Sequence, residues 1–407
     1  MSTPATPTAA LLAEIAEIGR DEVRGGYSRP GFTETELALR EWFIGHATAR
    51  GLEVEIDRNG IVWAWWLPAD GSKDGAVITG SHLDSVPGGG AYDGPLGVAS
   101  ALRAHDLLAA RFDAPAAPIA YCVFPEEEGS RFGIPCFGSR LAAGMLDPAT
   151  ARALVDADGV TFADAARAAG IDPEGIGADP ERFGRVKAFV ELHVEQGRGL
   201  ADLDRPVAVA RSILAHGRWQ ATIHGKGDHA GTTRMEDRHD PVVAAADVIQ
   251  AVRRVADATA DARGTVGRMV VIPGGTNVIA SRVHLWFDLR HASDATTRHM
   301  LEQITEAVQA AAEAEGCTAE IAEESYSPEV SFDADLRTRL EATLPEAPVL
   351  DTGAGHDAGV LASVIPTGML FVRNPTGTSH APDESTSDED AEAGSVALAE
   401  VLEALTT

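Results

Sequence analysis

Four short apolar runs in this 407-residue chain each end in side chains able to bind a divalent cation. AVITG (76–80) leads into Ser81-His82-Leu83-Asp84, with Asp93 nine residues further on in AYDGPLG. PIAYCVF (118–124) leads into Pro125-Glu126-Glu127-Glu128-Gly129, and VKAFVEL (186–192) into His193-Val194-Glu195-Gln196-Gly197. PTGMLFV (366–372) leads through a loop containing Gly and Pro to Ser379-His380. Imidazole nitrogens mixed with carboxylate oxygens suit zinc or a similar divalent ion. A carboxylate shared by two ions about 3.5 Å apart holds them where water is activated between two Lewis acids. Adjacent glutamates can divide the work, one facing metal while its neighbour carries a proton. Any one of these residues alone reads as an ordinary loop side chain. Four strand ends repeating the pattern read as a site.

The elements that must position these groups are legible in the hydrophobic pattern. In an open α/β sheet, ligands gather outside the carboxyl ends of the strands, which is where all four groups fall. LEVEI (52–56) alternates with period two and IVWAWWL (61–67) is aromatic and β-branched, so both join the apolar runs as strands. GPLGVASALRAHDLLAA (94–110) is a helix between two of them, which predicts crossovers in a mainly parallel sheet. Thr33 and Glu36 have capping-box spacing ahead of a helix running to about Arg50. Residues 146–184 read as short helices and loops. From 212 to 327 the rhythm becomes β-α-β-β-α-β, with strands at 216–225, 267–272, 281–290 and 317–323, and helices at 240–258 and 294–316 capped by Asp240 and Asp294. The α/β character then returns, ending in a helix at 389–406. The expected fold is therefore α/β: a mainly parallel, metal-binding catalytic domain (1–211 and 328–407) with an inserted ferredoxin-like domain (212–327).

Composition excludes several classes. Lys and Arg total 33 against 62 Asp and Glu, a net charge of −29 that repels phosphate backbones and anionic lipid. No nucleic-acid or membrane partner is expected. The three cysteines, Cys122, Cys136 and Cys317, are too few for a disulfide scaffold and fit a reducing compartment. Residues 1–26 lack a basic start and an apolar core, so no signal peptide is expected, and no apolar stretch approaches the ~20 residues of a membrane span. The expected location is cytoplasmic.

His82-x-Asp84, Asp93-Gly94, Glu127-Glu128-Gly129, His193 and His380 together resemble the metal set of the M20 metallopeptidase/amidohydrolase superfamily. EEEGSRFG (126–133), ELHVEQG (191–197), HAGTT (229–233), GAGHDA (353–358) and GTSHAPDE (377–384) narrow the likeness. They resemble the branch of N-carbamoyl-L-amino-acid hydrolases, allantoate amidohydrolases and β-ureidopropionases. The resemblance implies metal-dependent hydrolysis of a linear C–N bond in an N-carbamoyl or ureido acid, with release of ammonia. An aminoacylase or dipeptidase on the same scaffold is the nearest alternative, and a non-catalytic metal-dependent binding protein the more distant one. Two divalent ions per subunit are implied, zinc or manganese first, with cobalt or nickel as alternatives.

Carried over by position, the resemblance makes His82, Asp93, Glu128, His193 and His380 the metal ligands, with Asp93 bridging. Asp84 would accept a hydrogen bond from the His82 ring and orient it. Glu127 matches the general base, and Glu126 beside it reads as a solvated or structural carboxylate. His229 matches an oxyanion donor that reaches the site of a partner subunit, which implies a homodimer and makes 212–327 a lid and dimerisation domain. Asn277 and Arg290 match contacts to the substrate carboxylate, which a guanidinium grips with two bonds. Gln196 matches a polar residue near the ureido group, and His356 with Asp357 lines the site. Arg198 and Arg234 depart from the family pattern, each standing where proline is usual.

Overall fold

The computed structural model describes residues 6–407, so the first five residues of the stretch read for a signal peptide lie outside the described residues. The chain divides into two compact units. One comprises the residues up to Arg211 together with Ser331–Thr407, the other Ser212–Val330.

In the first unit, the strands Ile119–Phe124, Ala76–His82, Val186–Val194 and Thr367–Val372 lie side by side in that order, all parallel. Three of them are buried along their whole length, and Val186–Val194 at all but one position. Strands covered on both faces need apolar residues at every position, which is why these runs read as continuous rather than alternating. The helices Pro95–Ala109 and Asp388–Thr406 bring Leu96, Leu102, Leu398 and Leu402 into one core with Val77, Val123, Val190 and Leu370. Antiparallel strands widen both margins: Val62–Trp66 and Glu53–Ile56 on one side, Val207–Ile213 on the other. Val207–Ile213 escaped the sequence reading because its apolar run lies at the join between units, where periodicity alone does not separate strand from linker.

The short helices expected within 146–184 are Pro148–Ala153, Phe162–Ala168 and Pro180–Phe183. Phe32, Phe132, Phe137 and Phe162 gather in a separate small core around this segment. The helix expected from Thr33 is Glu34–Ala49, but the reciprocal capping box does not form. The Glu36 carboxylate instead accepts the Phe32 N–H at 3.0 Å and pairs with Arg40, while the Thr33 hydroxyl donates to the Pro30 carbonyl at 2.7 Å. The acid thus serves the Phe32 N–H and the buried Arg40 one turn along, rather than the Thr33 N–H.

The second unit is a four-stranded antiparallel sheet in the order Thr318–Ser327, Ala215–His224, Arg282–His291, Arg263–Ile272. In Arg282–His291, buried and half-buried residues alternate, the signature of a sheet with one covered face. Helices Pro241–Ala258 and Asp294–Ala314 share a core with that face through Val248, Val252, Ile304 and Val308 against Trp219, Leu285 and Phe287. Asp240 caps the first helix by accepting the Val242 N–H at 2.9 Å. The second is capped by Ser293 rather than Asp294, whose carboxylate is engaged by the Tyr326 hydroxyl at 2.7 Å. No helix among the described residues is long and apolar enough to cross a membrane.

Candidate metal centre

The parallel register sets the donors level with one another. His82 closes its strand opposite Phe124, so the Glu126–Glu128 turn begins where His82 ends, and His193 lies opposite Phe371 on the strand that leads to His380. Asp93 precedes Gly94, whose φ is +85°, and a Cβ at Gly94 would lie 2.5 Å from the His82 ring. Only glycine permits both that backbone and that approach.

Four of the sequence-predicted ligands gather around the fifth, Asp93. Its Oδ1 lies 3.5 Å from His82 Nε2 and 3.3 Å from His193 Nε2. Its Oδ2 lies 3.5 Å from His380 Nε2, which is itself 3.3 Å from Glu128 Oε2. The donor atoms thus form two groups sharing one carboxylate: His82, Asp93, His193 and Asp93, Glu128, His380. His82 and His193 are buried, whereas the His380 side chain is half exposed.

The donor set fits cations on three counts. The Nδ1 atoms of His82 and His193 meet the main-chain carbonyls of Asp84 and Val194 at 3.0 and 2.9 Å. That fixes the proton on Nδ1 in the neutral ring and leaves Nε2 as a lone-pair donor. Both Nε2 atoms are buried without a hydrogen-bond partner, and so is Glu128 Oε1. Finally, no lysine or arginine forms a salt bridge to Asp84, Asp93, Glu127, Glu128, Glu191 or Asp357 among the described residues. Buried carboxylates in such number require positive charge or protons.

The electrostatics record that imbalance. Burial works against a charged His82, yet Glu127, Asp93 and Asp84 outweigh it and hold the imidazole well above its usual range. Burial likewise opposes the Asp93 carboxylate, and His193 with His82 pulls it well below the ordinary range. Glu127 and Glu128 are pushed well up, mainly by burial and then by neighbouring acids. His356 is driven well down by burial and by His193, whose ring centre is 4.5 Å away.

Other expectations are met differently. The Asp84 carboxylate does not take the His82 N–H, which goes to its main-chain carbonyl; it accepts instead the N–H groups of Glu127 and Glu128, both at 3.1 Å. It therefore fixes the glutamate turn rather than the ring. Glu126 is fully buried, accepting N–H bonds from Gly31, Arg131 and Phe132, so it is structural and not solvated. Gln196 donates from Nε2 to Asp93 Oδ2 at 3.0 Å and to Ser379 at 2.9 Å. Glu127 Oε2 stands 3.8 Å from His82 Nε2.

His229, Asn277 and Arg290 belong to the second unit. His229 pairs in register with Val278, and the Ala230 N–H donates to the Asn277 carbonyl at 3.0 Å, so His229 and Asn277 are neighbours and both exposed. Arg290 pairs opposite His216, eight residues along the strand from Arg282, roughly 27 Å at strand rise. Val278–Ile279 runs through Ala280 and Ser281 into Arg282, so within one chain Asn277 lies beyond the Arg282 end of the strand and Arg290 near its other end.

Two residues of the centre were not singled out from the sequence. Glu384 is buried and accepts the Tyr92 and Asp93 N–H groups, both at 2.9 Å, tying the loop of His380 to the bridging aspartate. Glu191 is buried, binding the Ser81 hydroxyl at 3.0 Å and the Ala358 N–H at 2.9 Å. Its signal was strand alternation, since residues two apart share a face with His193.

Comparison with known proteins gives the class. Residues 78–404 match the sequence model of Peptidase family M20/M25/M40, and the chain belongs to that family. More particularly, it is 35% identical over 416 residues to an N-carbamoyl-L-amino acid amidohydrolase of Geobacillus stearothermophilus, covering 95% of each chain. It is 30% identical to an allantoate amidohydrolase of Escherichia coli K12, covering 96% of this chain and 95% of the other. Among solved structures, a hydantoinase/carbamoylase family amidase from Burkholderia multivorans superimposes with a TM-score of 0.89 at 30% identity, covering 99% of each chain.

Proposed function

We propose that the protein hydrolyses the linear C–N bond of an N-carbamoyl amino acid or a related ureido acid such as allantoate, releasing ammonia. The observation that carries this reading is the pair of buried, unpartnered Nε2 atoms of His82 and His193, both within 3.5 Å of Asp93 Oδ1 and with Glu127 alongside. The relatives that act on carbamoyl amino acids and allantoate support the substrate class.

Two divalent cations per subunit, zinc or manganese, suit the donors: His82, Asp93 and His193 would hold one, Asp93, Glu128 and His380 the other. When bound, they supply Lewis acidity and a water that ionises near neutral pH. Glu127 takes the proton of the attacking water and returns it to the departing nitrogen. Its buried carboxyl, held above the usual range, suits a group that must both accept and give a proton. With its Nε2 taken by Asp93 and Ser379, Gln196 has its amide oxygen left to accept from the ureido N–H groups.

His229 stabilises the oxyanion. Its Nδ1 accepts the Gly231 N–H at 3.0 Å, so the neutral ring carries its proton on Nε2 as a donor. His229 and Asn277 belong to the short strand pair beside the Arg282 end of the four-stranded sheet and Arg290 lies at that sheet's other end, so a homodimer in which a second copy supplies the first two lets all three serve one substrate. The second unit then acts as lid and dimerisation domain. Three free, buried cysteines support a reducing, cytoplasmic setting.

The test is a panel of N-carbamoyl-α-amino acids, N-carbamoyl-β-alanine, allantoate, N-acetyl amino acids and dipeptides, assayed after chelation and readdition of zinc or manganese. Ammonia release from the ureido acids is expected. Turnover of dipeptides with none of the ureido acids sinks the reading.

A further inference from the structure

The Glu127 carboxylate takes a single hydrogen bond among the described residues, from the Cys136 thiol to Oε1 across 3.3 Å. We propose that Cys136 is a positioning residue, holding Glu127 in the orientation from which it transfers its proton; this rests on Glu127 being the proton carrier. With Oε1 tied to sulfur, Oε2 is the oxygen turned towards His82 Nε2, 3.8 Å away. A glutamate has three rotatable bonds, and a misplacement of about 1 Å at the reacting atoms costs on the order of a hundredfold in rate.

The backbone is built to make this contact. The N–H groups of Cys136, Phe137 and Gly138 donate to the carbonyls of Glu127, Glu126 and Pro125 at 2.6, 3.0 and 3.1 Å, a short ladder that clamps the two segments together. Cys136 and Glu126 both adopt a φ of 53°, a left-handed conformation uncommon for non-glycine residues. That conformation crowds the Cβ against the backbone, so the surrounding bonds must hold it. Cys136 is 3% exposed, and burial, with Glu127 and Asp357 nearby, pushes its thiol well up, so the sulfur keeps the proton it donates. Cys317 turns to the Glu315 carbonyl instead.

Steady-state kinetics and metal content of Cys136→Ala and Cys136→Ser, alone and with Glu127→Ala, test the assignment. Cys136→Ala is expected to lower kcat about tenfold with KM and bound metal unchanged, because it touches none of the metal donors. Cys136→Ser should recover most of kcat, since its hydroxyl donates to the same oxygen. In the Glu127→Ala background the cysteine substitution should have no further effect. Independently of turnover, the infrared S–H stretch lost in Cys136→Ala should shift in Glu127→Ala as its acceptor disappears. A Cys136→Ala enzyme with wild-type kcat overturns the proposal, and so does an S–H band indifferent to Glu127. A wild-type chain that hydrolyses nothing overturns the role of Glu127 instead, and the S–H band still decides whether the contact exists.

Discussion

The two units handle charge in opposite ways. Every Asp, Glu, His and Arg buried among the described residues lies in the first unit, from Arg29 to Asp390. The second unit buries Ser212, Thr222 and Thr297 as its polar residues and otherwise a plain apolar core around Trp219, Leu285 and Phe287. Its own candidate groups, His229 and Asn277, stand in solvent. Desolvating an ionisable group costs several kcal/mol unless something compensates. The first unit thus devotes part of its packing energy to holding a set of acids and imidazoles ready for cations. The second folds independently of such groups and presents side chains that do nothing alone. Substitutions in the first should act on chemistry, metal uptake or pH response according to which buried group is removed, whereas those at the exposed groups of the second should disturb chemistry and leave the fold untouched.

The largest expected effect tests the first half of that contrast. Glu127→Gln should lower kcat by about 10²- to 10⁴-fold, the range for losing a positioned general base. Bound metal, measured by mass spectrometry, should be retained because Glu128 and the histidines remain. Loss of metal along with activity would make Glu127 a ligand and merge the two roles.

Next comes His229. His229→Ala should lower kcat by about 10²- to 10³-fold if an oxyanion donor is removed. Its melting temperature should stay put, since an exposed side chain contributes within about ±0.5 kcal/mol. Mixing His229→Ala chains with Glu127→Gln chains should recover activity neither parent has, if a second copy supplies the histidine. A mixture as inactive as its parents would leave His229 serving its own chain.

Much of the centre was legible because a parallel sheet makes sequence order into geometry: strand ends converge, so residues just beyond apolar runs meet. That geometry marks the groups around His82, Glu128, His193 and His380, with Asp93 nearby, and the family resemblance picks these five as the ligands. The sequence pattern said less where a role depends on which atom of a residue is used. Asp84 fits its spacing, yet it is the carbonyl that meets the ring while the carboxylate holds the next loop. Glu384 acts through two N–H groups 292 and 291 residues away and Cys136 through one contact across a loop, and no periodicity encodes either. Asn277 and Arg290 look like partners in the sequence, but strand rise sets them far apart.

A third, smaller effect separates the units by pH. His105 is buried against Trp66 and Tyr121, and burial lowers its imidazole to about 4. Asp106 opposes that shift and Arg50 adds to it. In the unfolded chain the ring titrates near its usual 6.5, so above that pH both states are neutral and stability is unaffected. As pH falls from 6.5 towards 4 the unfolded chain binds a proton that the folded one refuses, and stability declines by up to about 3 kcal/mol. His105→Phe should flatten this slope in urea unfolding at pH 7 and 4.5. Hydrogen exchange at the lower pH should rise in the strands around His105 before it rises in Ala215–His224 or Arg282–His291. Simultaneous loss of protection in both would break the contrast.

The smallest effect concerns Arg290, the one candidate of the second unit already engaged in an ion pair. Its Nε and Nη2 meet the two Asp288 oxygens at 2.8 and 3.1 Å, two residues away on the same face of the strand. That fork is the geometry a substrate carboxylate needs, and a bound acid would have to share or displace Asp288 to use it. The net gain is therefore a difference between two similar bonds, not the whole strength of either. Arg290→Lys keeps the charge and loses the planar pair of donors, so KM should rise about tenfold while kcat changes little. Substrates esterified at the carboxylate should be insensitive to the substitution. If ester and acid respond alike, Arg290 serves Asp288 and the strand end, and the second unit offers the substrate His229 and Asn277 alone.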